Sequence, residues 1–145
     1  MANGDVDAGD GASGAGAPVP LLIEARQIAG GLLIRILDDL DIATAGRAET
    51  TLETVVADAV PADGGSLVVV DLGACFVDMA GLMPLIAAGD VARRLGGILV
   101  VVGLPSVWER VLPTLGLDER LQRRPDLSSA VADFGPPPEQ TPPVA

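Results

Sequence analysis

Two unbroken apolar runs constrain the fold of this chain more than any other feature: SLVVVDL at residues 66–72 and ILVVVG at residues 98–103. A strand with one face in water alternates apolar and polar residues, and neither run does so. Both runs are therefore predicted to be strands of a sheet that is covered on both faces. The segment between them has the length and pattern of a helix, so the two strands are predicted to be parallel and connected by a right-handed crossover.

The crossover helix is predicted to span roughly Gly81 to Leu95, because its apolar and small residues recur at helical spacing. These residues are Leu82, Leu85, Ile86, Gly89, Ala92 and Leu95. Pro84 lacks an amide hydrogen, which is harmless in the first turn of a helix because the hydrogen has no partner there. The helix is therefore expected to begin no earlier than about Ala80.

The flanking segments complete a mixed sheet. Two strand-like runs that meet at a glycine-rich turn predict an N-terminal hairpin, and a segment with helical periodicity follows it. After the second apolar run, the pattern predicts a short helix, a weak strand and a last helix with an aspartate as its N-cap. In chain order these are residues 21–27, 32–37 and 43–60, the helix opened by Pro105, the strand near Leu121 and the helix from Asp126 to Phe134. The predicted fold class is α/β, with four to five strands, an N-terminal hairpin, parallel βαβ crossovers and about four helices.

The two ends of the chain differ from the middle in composition. Residues 1–17 are mostly Gly, Ala and Asp, and residues 135–145 are rich in proline. Segments with so little apolar surface to bury are predicted to be disordered tails. The folded domain is predicted to span residues 18–134.

Charge and composition argue against several classes of function. The formal net charge is −11, and the nine basic residues, all Arg, are scattered along the chain, whereas a nucleic-acid surface needs a basic patch. The sequence contains no His, Tyr or Lys, so a catalytic triad with a histidine base and a phosphate loop with its lysine are both impossible. The acids show no calcium-loop spacing. We therefore expect no enzyme activity, no cofactor, no metal site and no nucleic-acid partner.

A cytoplasmic location is predicted from the cysteine content and the hydropathy pattern. The chain has one cysteine, which fits a reducing compartment. It shows neither the charged start and apolar run of a signal peptide nor an apolar stretch long enough to cross a bilayer, so no membrane partner is expected. The cysteine, Cys75, is interpreted as a small buried thiol at a strand end rather than as a redox centre.

The segment FVDMAGLM, residues 76–83, joins the first apolar strand to the crossover helix. Partners and ligands of parallel sheets meet the loops beyond the carboxyl ends of the strands, and this segment is predicted to be such a loop. Between Asp78 and Gly81 stand Met79 and Ala80, whose side chains carry no acid, base or nucleophile. The position is that of a functional loop, while the residues offer almost no chemistry.

Three stretches share their order and spacing with one known family. Asp39-Leu40-Asp41 is followed by Thr44-Ala45; residues 68–82 combine an apolar strand, Asp-Leu, a spacer and Asp-Met-Ala-Gly-Leu; residues 95–117 combine a Gly-rich entry, a strand, a helix and a closing Gly-Leu. These stretches resemble the Glu-Leu-Asp element, the Asp-Ser-Ser-Gly-Leu signature and the next strand–helix unit of STAS domains, in particular the stand-alone bacterial anti-sigma factor antagonists. The resemblance covers about residues 20–134 and implies a STAS-like mixed sheet.

The resemblance implies a partner switch. In this family the unphosphorylated antagonist binds an anti-sigma factor, usually a serine kinase of the histidine-kinase-like ATPase fold, and so frees a sigma factor. The kinase phosphorylates the first Ser or Thr after the signature aspartate, and the added charge abolishes binding. Here that position is Met79 and its neighbour is Ala80, and Asp38 replaces a glycine that usually precedes the Glu-Leu-Asp element. The resemblance therefore implies partner binding without phosphorylation at this position.

The partner site implied by the resemblance lies on the first two of these motifs. Its residues are Asp41, Thr44, Asp78, Met79, Ala80, Gly81 and Leu82. Several have an alternative interpretation: Asp78 caps the crossover helix, Met79 is an ordinary surface residue, and Thr44 and Asp41 are the N-cap and its neighbour for the helix from Ala43. The alternative function is a STAS scaffold or ligand-sensing module that acts through homo-oligomerisation, as in a homodimer, with Met79 in the contact.

Overall fold

A five-stranded sheet forms the centre of the protein in a computed structural model that describes residues 20–60, 66–73 and 75–136. The strands are β1 (Ile23–Ile28), β2 (Gly31–Ile36), β3 (Leu67–Asp71), β4 (Ile98–Val102) and β5 (Gln122–Arg124). The helices are α1 (Ala45–Ala59), α2 (Met79–Arg94), α3 (Trp108–Thr114) and α4 (Leu127–Phe134), with a short 3-10 turn at Asp118–Arg120.

The sheet is mixed, as predicted. Its strand order is β1-β2-β3-β4-β5; β1 is antiparallel to β2, and the other neighbours are parallel. The hairpin turns at Ala29 and Gly30, where Gly30 has a φ of 79° that favours glycine. The predicted fold class is confirmed, including the weak strand near Leu121, which is β5.

The two faces of the sheet have separate apolar layers. On one face α1 and α2 pack over a large core to which Ile34, Val68 and Val101 belong. On the other face α4 packs, through Ala130, against the alternate residues of β2, β3 and β4. These residues are Leu33, Leu67, Val69, Val100 and Val102. The prediction that β3 and β4 are covered on both faces is confirmed, which explains why their sequences do not alternate.

Three predicted helix starts differ from the structure. The helix predicted to open at Pro105, α3, begins instead at Trp108, because the two residues between them form a turn. The crossover helix α2 begins at Met79, one residue before the predicted limit of Ala80, because Asp78 caps it directly. Pro84 consequently lies in the second turn, where it is buried and cannot donate to the carbonyl of Ala80. The helix predicted from residue 43 begins instead at Ala45, because a tight turn occupies the residues before it.

Several predictions concern residues beyond the described ranges. The tail predicted at residues 1–17, all but the first two residues of the tail predicted at 135–145, and the segment at residues 61–65 lie outside the described residues, so the domain boundaries of 18–134 stay a prediction. No helix in the described ranges is both long and apolar enough to span a bilayer.

Candidate partner-binding site

Two loops meet beyond the carboxyl ends of β2 and β3, and we call residues 38–44 together with 76–83 the corner. A single parallel bridge joins Leu40 to Val77. The Leu40 amide donates to the Phe76 carbonyl at 2.7 Å, and the Asp78 amide donates to the Leu40 carbonyl at 3.0 Å. Backbone hydrogen bonds therefore hold the FVDMAGLM segment against the segment that follows β2, and they bring together the first two sequence motifs.

Gly81 allows α2 to start directly against the first loop. A Cβ atom at this position would overlap the carbonyl group of Leu40. Gly81 and the next residue, Leu82, are buried. These two predicted site residues therefore lie beneath the surface, where they determine how closely the two loops pack, and they do not form the outer surface of the corner.

Asp78 is the N-cap of α2. Its backbone is extended, and its Oδ1 accepts a hydrogen bond from the Gly81 amide at 2.9 Å. Met79 and Ala80 follow as the first two helical residues, with Met79 38% exposed and Ala80 half-buried. The start of the helix thus presents a thioether and a methyl group, and neither side chain carries a hydroxyl that could accept a phosphate.

Asp41 and Thr44 form a closed turn before α1. The Asp41 carboxylate accepts from the amides of Ala43 at 2.9 Å and Thr44 at 3.1 Å. The Thr44 hydroxyl accepts from the Asp41 amide at 3.0 Å and donates to the Asp39 carbonyl at 2.7 Å. Thr44 occupies the N-cap position of α1 without a side-chain cap bond and is only 8% exposed. Its hydroxyl is therefore used inside the turn.

The outer surface of the corner is apolar. Ile42 is 81% exposed, Phe76 59% and Met83 44%, and Met83 lies one helical turn after the exposed Met79. Three of these residues, Ile42, Phe76 and Met83, were not among the predicted site residues. The sequence does carry a signal for them, since Ile42 and Phe76 stand in predicted loops where large apolar side chains have little to cover them.

Four carboxylates lie among these apolar side chains: Asp38, Asp39, Asp41 and Asp78. Each accepts a hydrogen bond from a backbone amide: Asp38 from Leu22, Asp39 from Phe76, and the other two as described above. Residues 38–44 and 76–83 contain no Arg. The corner is therefore acidic as well as apolar, and its acids are fixed in place.

Cys75 stands next to the corner and is half-buried. Burial raises the pKa of its thiol to about 11, and the negative charge of Asp39 adds to the rise. At neutral pH the group is therefore a protonated thiol, which is a poor nucleophile. In the described part of the chain, no three His, Cys, Asp or Glu side chains are grouped so as to hold a metal ion.

Comparison with solved structures gives the class of the fold. An anti-sigma factor antagonist from Mycobacterium paratuberculosis matches with a TM-score of 0.62 and 26% identity, covering 83% of this chain and 98% of that chain. An anti-sigma-factor antagonist (STAS) domain protein from Planctomyces limnophilus matches with a TM-score of 0.55 and 16% identity over 77% and 97% of the two chains. The protein therefore has the STAS-domain fold.

Within this class, the similar structures identify the group that the protein resembles. The anti-sigma factor antagonist SpoIIAA in its unphosphorylated form matches with a TM-score of 0.56 and 10% identity, over 77% of this chain and 96% of that one. The resemblance to STAS-domain anti-sigma factor antagonists that the sequence motifs indicate is thus confirmed. No protein-family model and no curated protein sequence matches this chain.

Proposed function

We propose that this protein is an anti-sigma factor antagonist that binds an anti-sigma factor through the corner and so frees a sigma factor. The observation that carries the proposal is the exposed apolar surface around Met79, at the helix start that bears the motif of the family. Exposed apolar patches rimmed by polar groups mark interaction surfaces in proteins of this size. Regulation by binding, without chemistry on a substrate, also agrees with the absence of a histidine base in the sequence.

The chemistry of the corner describes the surface that it fits. Ile42, Phe76, Met79 and Met83 require apolar side chains on the partner, and Met adapts readily to irregular apolar surfaces. The four carboxylates require Arg or Lys around that apolar centre, because buried charges without a partner oppose binding. The partner proposed from the family resemblance is a serine kinase of the histidine-kinase-like ATPase fold, and the expected location is the cytoplasm.

Position 79 sets how the interaction is regulated. Met79 is neutral and has no phosphate acceptor, so this helix start keeps the charge of an unphosphorylated antagonist. The nearby Thr44 is a poor substitute acceptor, because its hydroxyl is buried and already bonded within the turn. We propose that the corner binds its partner without a phosphorylation switch at the family position.

The substitution Met79→Asp tests the proposal. It places an uncompensated charge in the proposed interface and should weaken binding to the purified anti-sigma factor by about 1–3 kcal/mol, roughly ten- to a hundredfold. The folding free energy should change by less than about 0.5 kcal/mol, because Met79 is at the surface and an acid suits a helix N-terminus. Titration calorimetry measures the first quantity and denaturant unfolding the second.

A matched control is available on α4. Ser128→Asp adds the same charge to the first turn of a helix that also has an aspartate N-cap, at an exposed position outside the corner. This variant should bind as the wild type does. If Met79→Asp binds as tightly as Ser128→Asp, the corner is not the docking site.

The substitution Met79→Ser tests the missing switch. It restores a hydroxyl at the helix start and should bind nearly as well as the wild type before phosphorylation. Incubation with a kinase-type partner and ATP should then modify residue 79 and reduce binding, whereas the wild type should remain unmodified over residues 76–83. Peptide mass mapping locates the phosphate. Modification of the wild type at an exposed site such as Ser106 would show that regulation has moved elsewhere in the chain.

A further inference from the structure

The strand β1 is one edge of the sheet, and its outer side is free among the described residues. The sheet order places only β2 beside it. All four of its central residues, from Glu24 to Gln27, are exposed. At the opposite edge, β5 has three residues, while β1 has six. A long exposed edge strand is a template for pairing with another strand.

The register of the hairpin shows which backbone groups point outward. The Leu37 amide donates to the Leu22 carbonyl, so this pair belongs to the hydrogen-bonded set of the antiparallel ladder. Hydrogen-bonded and non-hydrogen-bonded pairs alternate along such a ladder. In the observed register the non-hydrogen-bonded residues of β1 are therefore Ile23, Ala25 and Gln27, and their amides and carbonyls face away from β2.

The side chains of β1 and the residue before it are self-complementary about Ala25. If a second copy of the strand runs antiparallel with Ala25 facing Ala25, each Glu24 lies opposite an Arg26, and each Leu22 lies opposite an Ile28. The Leu22 side chain is 58% exposed and would gain an apolar neighbour. We propose that two copies of this chain pair through β1 in this register and form a continuous ten-stranded sheet.

Hydrogen bonding and charge together select this register. The residues whose backbone groups face outward must pair with one another across the two copies, and these residues are two positions apart. The midpoint of every such pair is a residue, so the two-fold axis must pass through a residue of β1 and not between two residues. An axis at Glu24 would place Glu24 opposite itself, and an axis at Arg26 would do the same for Arg26. Like charges directly opposite are destabilising, whereas opposite charges stabilise a strand pair. An axis at Ala25 joins acid to base twice and uses all of β1.

The charge pattern continues a row already present within one copy. On the same face of the sheet, Arg35 lies 3.5 Å from Asp71 and 4.0 Å from Glu24. Pairing at Ala25 would extend this row to Arg26 of the second copy. The corner adjoins this edge at Leu22, whose amide donates to Asp38, while its exposed apolar residues lie on other segments. This inference does not depend on the proposed function.

The dimer should be weak, because pairing a single six-residue strand from each copy covers less area than a standard protein interface. We expect a monomer–dimer equilibrium with a dissociation constant in the micromolar range or above, which sedimentation equilibrium can measure. Amide hydrogen exchange supplies the local measurement. The amides of Ile23, Ala25 and Gln27 should exchange quickly in dilute solution and slow down as the protein concentration rises.

Two charge variants test the register directly. Arg26→Glu places acids opposite acids, and Glu24→Arg places bases opposite bases, so each variant alone should dimerise at least tenfold more weakly than the wild type. An equimolar mixture of the two variants restores opposite charges at every position and should form a heterodimer. Arg110→Glu makes the same charge change on α3, at an exposed residue, and should dimerise as the wild type does.

Four results would overturn the proposal. The wild type remaining monomeric at millimolar concentration would exclude pairing of any useful strength. Self-association that neither charge variant alters, or a mixture that associates no better than its components, would place the contact elsewhere. Slow exchange of the Ala25 amide at concentrations where the chain is monomeric would show that another segment of the same chain covers the edge.

Discussion

The starts of α2 and α4 use the same capping chemistry in different surroundings. Asp78 accepts from the Gly81 amide at 2.9 Å, and Asp126 accepts from the Ser129 amide at 2.8 Å. Each aspartate has an extended backbone and precedes the first helical residue. Asp78 is therefore explained as a helix cap, and its presence alone does not indicate a binding site.

The residues after the two caps show where the helix starts differ. In the first turn of α4, Ser128 and Ser129 carry hydroxyls, whereas α2 has Ala80 and Gly81 at the same positions. The α4 cap, Asp126, is exposed, whereas the α2 cap, Asp78, is half-buried. Gly81, which follows in α2, is buried against Leu40 and is surrounded by the apolar surface of the corner. The loops packed around a helix start, and not its cap, therefore distinguish a candidate interface.

The largest effect is expected from Gly81→Ala. Alanine normally stabilises a helix relative to glycine, but here the added methyl group would overlap the Leu40 carbonyl and force the two loops apart. We expect a loss of about 3 kcal/mol in the free energy of unfolding, at the upper end of overpacking effects. Denaturant titration followed by circular dichroism measures it.

Gly89→Ala is the matched control within the same helix. A Cβ atom at Gly89 meets nothing within 4 Å, so this substitution should stabilise the protein by about 0.5–1 kcal/mol through helix propensity. Equal effects at the two glycines would contradict the close contact between α2 and the first loop.

An intermediate effect is expected from Asp78→Ala. Removing the cap leaves the Gly81 amide without its acceptor and should cost about 1 kcal/mol of stability. Asp78→Asn should retain most of the stability of the wild type, because asparagine is also a good N-cap. Asp126→Ala should act in the same direction at α4. If Asp78→Ala weakens partner binding under conditions where it remains folded, and Asp78→Asn binds as weakly, the carboxylate also contacts the partner.

The smallest effect is expected in the pH dependence of stability that the α4 cap produces. The hydrogen bond from the Ser129 amide lowers the pKa of Asp126 below its ordinary value of 3.8. The charged cap therefore contributes its full stability above about pH 3.8, and the contribution is lost as the pH falls through the lower folded-state pKa. Asp126→Asn should flatten the dependence of Tm on pH slightly between pH 5 and 2.5. An unchanged pH profile would mean that the cap carboxylate does not titrate differently in the folded protein.

The architecture could be predicted from the sequence because the strongest signals in it are local. The unbroken runs of β3 and β4 predicted doubly covered parallel strands, and the glycine-rich turn predicted the hairpin. The start of α2 lies one residue before the predicted limit, which rested on the preference of proline for the first helical turn. Pro84 is accommodated in the second turn, a position that the pattern alone does not reveal.

The candidate site was less predictable because it depends on contacts between distant segments. The family motif predicted Asp78 and Met79 as site residues, but it does not show that Gly81 and Leu82 are buried. The role of Gly81 rests on its approach to Leu40, which is 41 residues earlier in the chain. The exposure of Ile42 and Phe76 is indicated by their positions in predicted loops, but that they share one surface follows from how the two loops pack together.

The bridge between Leu40 and Val77 has a kinetic consequence. Backbone hydrogen bonds already hold both loops in the free protein, so association does not have to order their backbones. The remaining entropic cost is that of immobilising the exposed side chains, about 0.5–1.5 kcal/mol for each. The tethered carboxylates add a fixed negative field that attracts a basic partner before contact and weakens as salt is added. Ionic strength should therefore change mainly how fast the complex forms, while the apolar side chains determine how long it lasts.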